Sequence, residues 1–132
     1  MDVDGVVCAW CGELDCRTIF DHCIAREFED PAFFVVHHLS VAAYRLQHGA
    51  VTADAAPALR DLILTHLDDA PNSYSMRRIR DQFDGARPVS EEARSPAATP
   101  GAESIGSVDF SSAERYCASV RHWARSVAEN VS

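Results

Sequence analysis

Four of the five cysteines, Cys8, Cys11, Cys16 and Cys23, fall within the first 23 residues. Thiolates are soft ligands, and Cys8-x-x-Cys11 followed by Gly12 is a spacing that can hold one tetrahedral zinc ion from a tight turn. Gly12 lets the backbone curl so that amides face the sulfurs. An odd total of five cysteines, four of them clustered at one end, suits ligation better than a disulfide framework, so reduced thiols are expected. A redox pair is disfavoured, because the thioredoxin-type motif opens a helix after a strand and no such strand is evident. Imidazoles supply the second ligand type, and His37, His48 and His66 each lie within an apolar helical pattern.

These groups need elements to position them. A first helix is predicted from Asp15 to about Phe28, with Cys16, Phe20 and Cys23 on one face. Asp30-Pro31 is a helix start, since Asp caps free amides and proline fits the first turn. Gly49 is the matching stop. Between them Phe34, His37, Val41, Tyr44 and His48 recur at 3-4-3-4 spacing, which predicts a core-facing stripe on one continuous helix. A third helix is predicted from Thr52 or Asp54 to about Asp68, with Leu59, Leu62, Ile63, His66 and Leu67 on its apolar side. Ser75 to Phe83 reads as a short helix. Residues 84–107 carry three of the six prolines and three of the six glycines, and are expected to form a flexible loop within a single 132-residue domain. Ser111-x-x-Glu114 reads as a capping box for a last helix with Tyr116, Val120, Trp123 and Val127 as its stripe. With no convincing strand, the expected architecture is all-α, a four- to five-helix bundle with an N-terminal zinc-binding Cys-x-x-Cys turn.

Helical geometry decides which ligands can meet. His37 and His48 are eleven residues apart, roughly 16 Å along a helix, so a single ion cannot take both. Helices joined by a short turn near Asp30 should run antiparallel. Cys16 lies fourteen residues before that turn and His48 eighteen after it, within about one helical turn of the same level. The Cys8/Cys11 turn directly precedes Cys16. The expected metal ligands are therefore Cys8, Cys11, Cys16 and His48, holding Zn2+.

By the same counting Cys23, His37 and His66 share a mid-bundle layer, either as satisfied core groups or as an acid–base or second metal site. Tyr44, one turn from His48, either orients that imidazole or fills the core. His22, His38 and His122 fall off the stripes and are expected to be exposed. Cys117 is expected to be a buried, inert thiol. Arg77, Arg78 and Arg80 read as a solvated face.

Composition narrows the function classes. All twelve basic residues are arginine, against twenty acidic ones, for a net charge of −8. Without lysine there is no Schiff-base chemistry and no phosphate-loop lysine. The acidic balance argues against a nucleic-acid footprint. The acidic amino terminus does not resemble a secretory signal, and the longest apolar run, Ala32 to Val36, is far below the ~20 residues of a membrane span. A cytoplasmic protein is expected, with an unknown protein or small-molecule partner, no nucleic acid and no membrane.

Cys8-x-x-Cys11-Gly12, Cys16-x-x-x-Phe20, and Asp30-Pro31-x-x-Phe34-x-x-His37-x-Leu39-x-Val41-x-x-Tyr44-x-x-Gln47-His48 together resemble an uncharacterised family of small bacterial proteins known only as a domain of unknown function. Val120-x-x-Trp123-Ala124-x-Ser126-Val127 is similar to its closing helix, and His66-Leu67 to a further motif. The chain departs from that pattern at Gly49, where proline is usual, and at Ala42, where an acidic residue is. The resemblance supports the motif residues and names no reaction. The residues themselves predict a zinc-binding interaction or regulatory module with a structural Cys3His site. The alternatives are a small zinc-dependent metalloenzyme, with His37, Tyr44 and His66 as acid–base candidates, and a thiol redox or metal sensor.

Overall fold

The computed structural model describes residues 16–48, 56–68 and 103–131. The predicted Cys8/Cys11 turn, the predicted short helix at 75–83 and most of the 84–107 stretch lie outside them. Among the described residues the protein is all-helical: α1 (Cys16–Glu29), α2 (Pro31–Phe34), α3 (His37–His48), α4 (Ala56–Thr65) and α5 (Ala113–Glu129), with a 3₁₀ turn at Ile105–Ser107.

Asp30 starts α2 as the sequence predicts. Its side chain accepts from the Ala32 amide at 2.9 Å and Pro31 takes the first turn. The expected single helix from there to Gly49 is instead two, broken at Val35-Val36. Two successive β-branched residues lose side-chain freedom in a helix, so the break falls where continuing is least favoured. It sends Phe33 and Val36 into the core and leaves Phe34 and Val35 exposed.

The break also turns the buried face of α3 away from the predicted stripe. Leu39, Ala42, Ala43 and Leu46 are buried, whereas Val41 and Tyr44 are only partly so and Phe34 is 42% exposed. His38, expected at the surface, is buried. The predicted stripe gives weight to large residues. The observed face uses alanines, whose small side chains let α3 sit at the centre against α1, α4 and α5.

α4 ends at Thr65, short of the expected Asp68, so His66 and Leu67 follow the helix in a bend. α5 is capped one residue later than predicted: Ser112, not Ser111, accepts from the Arg115 amide. Its stripe of Tyr116, Val120, Trp123 and Val127 is fully buried, as the periodicity predicts. Within 103–107 Ile105 is fully buried, while Glu103, Gly106 and Ser107 are exposed. Trp123 Nε1 donates to Gln47 at 2.9 Å, and Gln47 Nε2 donates to the Glu103 carbonyl at 2.6 Å, tying this segment to α3 and α5.

Candidate functional site

The inner face of α1 presents Cys16, Phe20, Cys23 and Glu27 at spacings of four, three and four. Glu27 is 1% exposed, an uncommon position for a carboxylate. Burial of such a group is tolerated only where donors replace water. Three do so here. His37 Nδ1 lies 2.6 Å from Oε1, Ser40 Oγ donates to the same oxygen at 3.0 Å, and the Tyr116 hydroxyl donates to Oε2 at 2.5 Å. Burial, reinforced by the neighbouring Glu27, pushes the Tyr116 pKa far above the ordinary phenol range, so it stays a donor. Cys23, one turn earlier, has its pKa pushed up to about 11, chiefly by burial, and is a thiol at neutral pH.

His37 joins this buried network to the surface. Its ring stacks on Phe34 at 4.8 Å and meets the edge of Phe28 at 5.0 Å, and its side chain is 20% exposed. With Nδ1 on Glu27, the other ring nitrogen, Nε2, has no hydrogen-bond partner among the described residues and is not sealed from solvent.

The opposite end of the α1/α3 pair holds the described half of the predicted metal set. Phe20 stacks on Tyr44 at 4.0 Å, and Tyr44 stacks on His48 at 4.0 Å. The Glu27–His37 and Phe20–Tyr44 contacts are seven residues apart on both helices, which fixes an antiparallel register. Four more residues outward along each, the register brings Cys16 to the level of His48. His48 is buried, and its Nδ1 lies 2.8 Å from the Tyr44 carbonyl. That bond makes Nδ1 the protonated nitrogen and gives Nε2 the lone pair, the arrangement a ligating histidine uses. Tyr44 thus both orients the imidazole, through its carbonyl, and packs against it. Cys8 and Cys11 lie outside the described residues. Among those described, no group of three or more His, Cys, Asp or Glu is arranged to hold a metal ion.

The expected mid-bundle layer is divided. Cys23 and His37 both lie at Glu27, but His66 meets His38 instead, its carbonyl 2.9 Å from His38 Nε2 and the two rings edge to face at 6.3 Å. Burial lowers the His38 pKa, and the hydrogen bond to the His66 carbonyl partly opposes it. His22 and His122 are exposed and Cys117 is buried, as predicted. Periodicity singles out neither Glu27 nor Tyr116 as a chemical group. The available signal is that Glu27 continues the Cys16-Phe20-Cys23 stripe. An open groove of about 420 Å³ runs along another side of α1, lined by His22, Ala25, Arg26, Glu29 and Phe110.

Residues 6–132 match a protein family described as a family of unknown function (DUF5946). The chain belongs to that family. No curated protein and no solved structure matches it. Among the described residues no helix is long and apolar enough to cross a membrane.

Proposed function

We propose that the protein is a zinc-binding helical module serving interaction or regulation, with Cys8, Cys11, Cys16 and His48 as a closed structural ligand set. The observation that carries this reading is the His48 imidazole, buried and oriented through Nδ1 by the Tyr44 carbonyl, at the level of Cys16. Thiolate and imidazole donors suit zinc, and a filled four-ligand set stabilises a fold and leaves no position for substrate. Bound there, the ion would fasten the amino-terminal turn to the end of the α1/α3 pair. Such ligands require reduced thiols, which fits a cytoplasmic setting. Its partner is proposed to be a protein or a small molecule.

The rival metalloenzyme reading needs an acid–base group beside the ion. His37, the best-prepared imidazole for proton transfer, is eleven residues from His48 on the same helix, roughly 16 Å along its axis. That separation counts against His37 as the acid–base group and leaves Tyr44, stacked on His48 at 4.0 Å, as the candidate of the rival reading.

Elemental analysis of protein prepared without added chelator tests the proposal. About one zinc per chain is expected, falling well below half in Cys16→Ser and in His48→Ala, with loss of helicity in Cys8→Ala. Zinc-free wild-type protein that is fully helical would overturn it.

A further inference from the structure

His37 is prepared for a ligand that the zinc proposal does not use. Glu27 receives its Nδ1 at 2.6 Å, and Ser40 and Tyr116 hold Glu27 in place. The imidazole is therefore fixed in orientation. Nε2 points out of the network with no partner among the described residues. Around it stand two aromatic rings that the fold leaves open to water: Phe34 is 42% and Phe28 is 67% exposed, with centroids 5.4 Å apart. Three rings from three helical segments thus form an apolar corner with one polar atom in it.

We propose that this corner is a second binding site, separate from the zinc ligands, for a small aromatic molecule carrying a hydroxyl group. The ring would cover Phe28 and Phe34, whose exposed faces favour stacked or edge contacts with a planar partner. The hydroxyl would meet His37 Nε2. Its chemistry suits this position in either charge state: it donates to the neutral imidazole's lone pair and accepts from the imidazolium's N–H. A carboxylate would match only the second state and would approach a protein of net charge −8. Glu27 is a positioning residue here, acting through His37.

NMR titration of the wild-type protein with p-cresol, and separately with toluene, tests this. A saturable shift of the His37 ring resonances is expected with p-cresol, with a dissociation constant on the order of 1 mM or tighter. Toluene, lacking only the hydroxyl, should bind at least tenfold more weakly. Phe34→Ala and Phe28→Ala change exposed side chains, so the fold should persist while p-cresol binding weakens severalfold and zinc content stays unchanged. Glu27→Gln should also weaken p-cresol more than toluene. No saturable shift at His37, or equal binding of the two probes, would overturn the proposal.

Discussion

At the residue scale, Glu27 carries the most risk for the fold. A buried carboxylate with three donors is satisfied, but removing one donor leaves an oxygen that has neither that partner nor water. Tyr116→Phe takes away the donor to Oε2. We expect it to lower the unfolding free energy by about 1–3 kcal/mol, measured by urea denaturation, with helicity retained. An unchanged midpoint would show that the hydroxyl does not support the carboxylate. Cys23 makes a second prediction. It is fully buried with its pKa raised to about 11, so iodoacetamide at pH 8 should label it only after unfolding, as mass spectrometry can show. Helical counting places Cys23 and His37 in one layer, yet does not point to the acid between them. An acidic letter within an amphipathic pattern ordinarily marks the solvated side, and only the folded register shows this one turned inward.

At the scale of elements, the local signals at helix ends are more legible than the faces between them. Asp30-Pro31 starts α2 as predicted, while the serine pair before α5 misleads by one residue. The two serines can be told apart directly. Ser112→Ala should cost about 1 kcal/mol in thermal or urea unfolding, whereas Ser111→Ala should stay within about 0.5 kcal/mol. Equal losses would contradict the observed cap. The face of α3 is harder to read because its alanines and Ser40 contribute little to a pattern judged by large side chains. α5 is easier, since Tyr116, Val120, Trp123 and Val127 are both large and buried. Only half of the candidate zinc set, Cys16 and His48, falls within the described residues, and the antiparallel counting that pairs them agrees with the register of the two observed contacts.

For the whole molecule, His38 should make stability depend on pH. Its pKa is lowered from 6.5, chiefly by burial, with the hydrogen bond to the His66 carbonyl opposing the shift. The unfolded chain therefore binds the proton more readily than the folded one, so stability rises with pH through this range. The stabilisation is complete above about pH 6.5 and is lost as pH falls toward the folded-state value. His38→Gln, which can still donate to the His66 carbonyl, should flatten that slope in melts between pH 5 and 7. A wild-type slope retained in the variant would assign the dependence to another group.

The meeting of α1, α3 and α5 on one carboxyl group has a consequence for how the protein comes apart. If any of the three helices peeled away alone, it would leave a charge stranded in an apolar interior, so partial opening is penalised far beyond the apolar packing it sacrifices. The slowest amide protons of all three should then exchange with deuterium through one shared event. In Tyr116→Phe, the fifth helix should begin to exchange ahead of the other two.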